Sequence, residues 1–137
     1  MKPIVVYEPG GKILRVGSYC EPANELSGER QMEGVVVSIA DQYIDESTDP
    51  PEISDMPPRP SMAHDFDYST KQWVLNVEEA WRRVRQRRGE LLAACDWTQL
   101  PDVSDGLRSA WATYRQALRD VTTQPDPMGI EWPIPPA

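Results

Sequence analysis

Two stretches in the last part of the chain carry apolar residues at a helical period, and a proline stands between them. In the first, Trp81, Val84, Leu91, Leu92 and Cys95 share one face, with Arg88 interrupting it. In the second, Leu107, Ala110, Trp111, Tyr114, Leu118 and Val121 form an apolar stripe. Between them Asp96-Trp97-Thr98-Gln99-Leu100-Pro101-Asp102 breaks the helix, because proline has no N–H with which to continue the ladder. Asn76 is placed to cap the first helix, with Glu78 and Glu79 in the turn where the helix dipole favours acids. Ser104 or Asp105 caps the second. Residues 77–121 are thus expected to form an antiparallel hairpin of helices, each spanning about 25 Å. Such a pair buries little surface. It must lean on a neighbouring element, pair with another copy, or complete itself on a partner.

Before residue 76 the period is that of strands. Ile4-Val5-Val6-Tyr7, a Glu8-Pro9-Gly10-Gly11 turn and Lys12-Ile13-Leu14-Arg15-Val16-Gly17 read as a hairpin, since proline sets the first corner and glycine takes positive φ. Residues 32–38 and 41–45 are two further strand candidates, giving one small sheet of three or four strands. Residues 46–63 lose all periodicity. Their prolines predict a semi-rigid linker, with room for one short strand at Glu52-Ile53-Ser54. Asp65-Phe66-Asp67-Tyr68 and Gln72-Trp73-Val74-Leu75 predict a second hairpin, in which Trp73 pairs with Phe66 or Tyr68. The expected fold is therefore α+β: a β-rich module over 1–45, a proline-rich linker over 46–63, and a β-hairpin plus helical hairpin with an extended tail over 64–137.

Charge narrows the function. The chain carries a net charge of −8, and residues 1–75 hold thirteen acids against six bases. An acidic front half opposes general nucleic-acid binding, which needs a cationic face. Arg82, Arg83, Arg85, Arg87 and Arg88 are the exception, and they suit a solvated helix face, an acidic partner, or the acidic half of another copy. Cys20 and Cys95 have no CxxC spacing and are expected as free thiols. His64 is the only histidine and has no second nitrogen ligand beside it. No GxSxG, glycine-rich phosphate loop or HExxH occurs. No catalysis, cofactor, metal or membrane insertion is expected, and the chain is expected in the cytoplasm until assembly.

The blocks Leu91-Leu92-Ala93-Ala94-Cys95, Asp96-Trp97-Thr98-Gln99-Leu100-Pro101-Asp102, Tyr114-Arg115-Gln116-Ala117-Leu118-Arg119-Asp120 and Ile130-Glu131-Trp132-Pro133 have identities that periodicity does not require. With them, residues 81–136 resemble the C-terminal region of tailed-bacteriophage tail assembly chaperones, also called tail fibre assembly proteins. Gly89 and Val103-Ser104-Asp105 depart from that pattern, which has asparagine and a proline-led turn there. The front half looks like the variable β-rich part such proteins often carry. The resemblance implies a role in building a tail fibre or tail tip in the host cytoplasm. It leaves two alternatives, a chaperone that departs after assembly or an adaptor kept in the virion tail.

Candidate partner-binding residues emerge from position and type. Trp97 follows the end of the first helix and is expected to wedge against Trp111 or Tyr114 as a core plug, Trp111 is the central aromatic of the second stripe with Tyr114 continuing it, and Arg88 is set for a buried pair on the apolar side. Trp132 sits in a proline-rich tail that either folds back on the hairpin or reaches a partner's groove.

Overall fold

A computed structural model describes residues 3–18 and 20–137. It is an α+β structure in which small sheets precede two helices. Two compact units divide it, Met1–Val74 and Leu75–Ala137.

In the first unit, strands β1 (Ile4–Tyr7), β2 (Ile13–Gly17) and β3 (Arg30–Glu33) form an antiparallel sheet in the order β2-β1-β3. β1 is central, and its Val5, Val6 and Tyr7 are buried, as expected of a β-branched and aromatic run. The expected turn joins β1 to β2. Gly10 and Gly11 take φ of +98° and +95°. At Gly11 the requirement is absolute, because a Cβ there would stand 2.0 Å from the carbonyl oxygen of Ile44. The turn also anchors distant segments. The Gly11 carbonyl accepts from the Ile44 amide at 2.8 Å, the Gly10 amide donates to Glu46, and Lys71 donates to the Gly10 carbonyl.

Two expectations for this unit are corrected. The single sheet of three or four strands is instead a three-stranded sheet and a separate ribbon, β4 (Gln42–Asp45) with β5 (Glu52–Asp55). Ile44 and Ile53 carry that ribbon onto the same core as Val5, Tyr7 and Ile13. The strand expected over 32–38 ends at Glu33. Gly34 donates to the Pro3 carbonyl, and a Cβ on it would meet Ile53 at 2.7 Å, so the chain closes against the ribbon there. Beyond it, the Val37 and Ser38 amides donate to the Gln42 side chain, which takes them out of any ladder and leaves Val37 88% exposed.

The proline-rich stretch is likewise more structured than an open linker. It supplies β5, and the Pro57 carbonyl accepts from the Trp73 indole at 2.7 Å while Arg59 stacks over the same ring. The second hairpin, β6 (His64–Asp67) and β7 (Gln72–Leu75), forms as expected. Phe66 meets Trp73 and Tyr68 edge-on, with ring centroids 5.2 and 5.0 Å apart.

In the second unit α1 (Val77–Ala94) starts at Asn76, whose side chain accepts from the Glu79 amide at 3.0 Å. A 3-10 turn over Asp96–Gln99 and a short loop lead to α2 (Asp105–Asp120), where Ser104 holds the N-cap position without a side-chain bond to the helix. Cys95, Tyr114 and Leu118 form the core, with Leu91, Leu92, Trp111 and Trp132 packed against them. Contacts from Arg88 to Arg119 and from Arg115 to Leu92 place the helices side by side and antiparallel. By that register α1 ends opposite the middle of α2. The apolar stripe of α2 is therefore covered only in its later turns. Tyr114, Leu118 and Val121 are buried, whereas Leu107 and Ala110, expected to pack, are exposed.

Gly89 lies in the interior of α1, and a Cβ on it would meet no atom within 4 Å. Gly89→Ala should therefore raise stability by about 0.5–1 kcal/mol, read as a higher denaturant midpoint of the helical circular-dichroism signal. A lower midpoint would show a contact that this geometry lacks.

The first unit has an acid-sensitive tie. Glu29 accepts from Arg15 at 2.7 and 3.1 Å and from the Asn24 amide at 2.7 Å. The Arg15 guanidinium foremost, then that amide, hold its carboxyl down from 4.5 to about 2. A lowered pKa favours the folded state wherever the carboxylate is charged. This contribution is complete above pH 4.5 and disappears as pH falls toward 2. Glu29→Gln should flatten the acid limb of the stability profile in that window; an unchanged slope would remove Glu29 from the acid response.

Candidate partner-binding site

The turn between the helices is built from hydrogen bonds among the residues whose identities periodicity leaves unexplained. At the end of α1 the Cys95 amide donates to the Leu92 carbonyl at 3.2 Å, and Arg115 reaches across from α2 to the same oxygen. Its Nη1 donates to the Leu92 carbonyl at 2.8 Å and meets the Cys95 Sγ at 3.2 Å, while Nη2 pairs with Asp96 at 2.8 Å. A cation at a helix C-terminus also complements the dipole. The buried Thr98 donates its hydroxyl to the Cys95 carbonyl at 2.6 Å. Gln99 donates to the Arg108 carbonyl, and Arg108 in turn donates to the carbonyls of Pro101 and Val103. Asp96, Thr98 and Gln99 are thus spent on fixing the turn.

Trp97, expected as a core plug, is instead the member of that block left facing outward. It is 52% exposed, and its ring lies 6.3 Å from that of Trp111. Trp111 meets Tyr114 edge-on at 5.4 Å, and Tyr114 closes the series at 8% exposure. Trp97, Trp111 and Tyr114 therefore form one continuous aromatic ladder from surface to core. Leu100, 50% exposed, comes just after Trp97 at the end of the 3-10 turn, and Leu107, 37% exposed, lies one helical turn before Trp111. Together these residues give the unit an apolar surface at the turn between its helices.

Arg88 and Trp132, the other two candidates from the sequence, lie elsewhere. Arg88 is half-buried, but the partners it finds are the Arg119 carbonyl at 3.5 Å and the Thr122 hydroxyl at 3.4 Å, both at the end of α2. It meets a helix terminus there. Trp132 lies over the hairpin in a tail that folds back. Gln124 and Glu131 exchange two hydrogen bonds, of 2.9 and 3.1 Å, and Arg87 sits 5.4 Å from the Trp132 ring. The arginine run is mostly engaged as well. Arg82 and Arg83 both pair with Glu79, whose carboxyl is held down to about 2, foremost by its hydrogen bonds to Arg82.

Sequence alone does not single out Leu100, and it assigns Leu107 to the core. Neither has a distinguishing signal in its neighbours. Their exposure is a consequence of the helix register, which Arg115 and Arg88 set from opposite helices.

This helical unit coincides with a known family. Residues 81–137, from within α1 onward, match the model of the phage tail assembly chaperone protein family. The match connects the region to phage tail assembly. No curated protein and no solved structure matches the chain. Among the described residues, no helix is long and apolar enough to cross a membrane.

Arg115→Met keeps the aliphatic stem and deletes the donors. It should cost about 2 kcal/mol, because the Leu92 carbonyl, the Cys95 sulfur and the Asp96 carboxylate lose a charged partner, whereas Arg119→Met on the exposed side of α2 should change stability by less than about 0.5 kcal/mol. Urea titrations of both full-length variants measure the difference. Equal midpoints would show that the α1 terminus does not depend on Arg115.

Proposed function

We propose that this protein is a non-enzymatic tail fibre assembly chaperone, which binds an immature phage tail fibre or tail-tip protein in the host cytoplasm. The observation that carries this reading is the half-exposed Trp97, held on a hydrogen-bonded turn within the segment that matches the phage tail assembly chaperone family. Trp97 offers a large apolar face, and its partner Trp111 is continuous with the core, so little side-chain entropy remains to be lost on binding.

The need for such a cover is physical. Fibrous β-proteins expose strand edges and apolar surface until their subunits associate, and in that interval they aggregate. A small patch suits reversible binding: it competes with aggregation but yields to the larger surface buried when fibre subunits join.

Co-expression tests the reading. The fibre or tip protein encoded beside this chain should give a higher soluble yield with it than without it, and Trp97→Ala should lose most of that gain. Equal yields with and without the chain would reject the chaperone role. Mass spectrometry of purified particles adds the second criterion, since a chaperone is absent from the mature tail. Its presence at fixed stoichiometry would instead assign the chain as a retained adaptor.

A further inference from the structure

Beyond β3 the chain keeps the form of a strand without the ladder of one. From Met32 to Ile39 the residues alternate: Met32, Gly34, Val36 and Ser38 are half-buried, while Glu33, Val35, Val37 and Ile39 are exposed. That is the period of two of a pleated strand with one face on a core. Met32 and Val36 do pack on the core of the first unit, with Val5 and Ile44. Val35, Val37 and Ile39, which are 69%, 88% and 41% exposed, make the opposite row apolar. Gly34 through Ala40 includes no charged residue and no proline. An uncharged, β-branched run of this kind adds strands from other chains when it lies at the edge of a sheet. β3 is the end strand of its sheet.

Gln42 stands against that extension. Its Oε1 accepts from the Val37 amide at 2.8 Å and from the Ser38 amide at 3.4 Å, and its Nε2 donates to Asp55 at 2.7 Å. Successive amides of a straight strand point to opposite sides. One oxygen therefore receives both only where the chain bends, as it does at Val37. Asp55 also faces Gln42 across the β4–β5 ribbon. Because a carboxylate accepts and does not donate, Asp55 fixes which end of the Gln42 amide meets the segment. We propose that Gln42 is a guard against strand addition: by taking the Val37 and Ser38 amides it bends the extension of β3, and so keeps the same segment of another copy from pairing with it. The occupant excluded is a second copy because the two edges would present the same row of valines, which stack without burying a charge. Loss of the two hydrogen bonds would return the donors that such a pairing needs, on a segment whose side chains already alternate as a strand's do.

Hydrogen exchange and assembly kinetics of the full chain test this. Gln42→Met keeps the length of the side chain and removes both its acceptor and its donor. It should speed exchange at the Val37 and Ser38 amides at least about tenfold while the β1 amides stay as protected as before. It should also shorten several-fold the half-time of sheet assembly, followed by light scattering and thioflavin T fluorescence. Val37→Lys, at a position open to solvent, should restore the original half-time in that background. Gln42→Glu combined with Asp55→Asn reverses the donor between the two side chains and leaves an acceptor for both amides, so this double variant should match the unsubstituted chain in both measurements. Unchanged exchange or unchanged assembly in Gln42→Met would overturn the proposal, as would fast assembly that Val37→Lys leaves untouched. If Gln42→Met exposes the β1 amides as well, the double variant decides: assembly as slow as the original supports the guard, and assembly as fast as that of Gln42→Met rejects it.

Discussion

The helical unit depends on one guanidinium. Two antiparallel helices joined by a proline-containing turn leave carbonyls at the end of the first, and Cys95 and Thr98 meet those of Leu92 and Cys95 from within the turn. Arg115 adds the tie from the facing helix, binding Leu92, Cys95 and Asp96 together. That contact sets the register, because it fixes which turn of α2 lies beside the end of α1. The register then determines which apolar residues are covered. Tyr114 and Leu118 fall against α1, while Leu107 and Trp97 fall beyond it. Exposure at the turn thus arises from the interaction that holds the hairpin closed.

A hairpin this small needs further support, and the C-terminal tail provides it. Trp132 returns to the core through a segment pinned by Gln124 and Glu131, and Arg88 binds the far end of α2. The tail's prolines make this return inexpensive, since extended proline-rich backbone has little freedom to lose. The first unit uses a different device. There the Gly10-Gly11 turn is the meeting point, receiving Ile44, Glu46 and Lys71 from later segments. Glycine is required because backbone from β4 lies where a side chain would stand.

What is legible in the sequence is periodic or local. The β1–β2 hairpin, the Asn76 cap, both helices and the Phe66–Trp73 pairing each arise from residues close together in the chain. The rest depends on distant partners. Val35, Val36 and Val37 have strand propensity, but the Gln42 side chain captures two amides there and ends the ladder. The short strand at Glu52-Ile53-Ser54 is legible within the proline-rich stretch, but its partner is not, since Ile53 pairs with Ile44 across the ribbon. In the helical hairpin the apolar stripe of α2 is visible in full, and its division into covered and open parts is not. That division depends on Arg115, which as a lone arginine beside a tyrosine carries no mark of its role.

The distinctive identity of a block and the site of its binding surface are therefore separate matters in this fold. Asp96, Thr98, Gln99 and Arg115 face one another and the backbone, and their chemistry is consumed in doing so. A partner has access to what that network displays: Trp97 above Trp111, and two leucines. A rigid frame of this kind presents an aromatic ring without having to order it first, which lowers the entropic cost of association. It also keeps the exposed apolar surface confined to a few side chains. An exposed apolar surface confined in this way limits contact between copies of the chain.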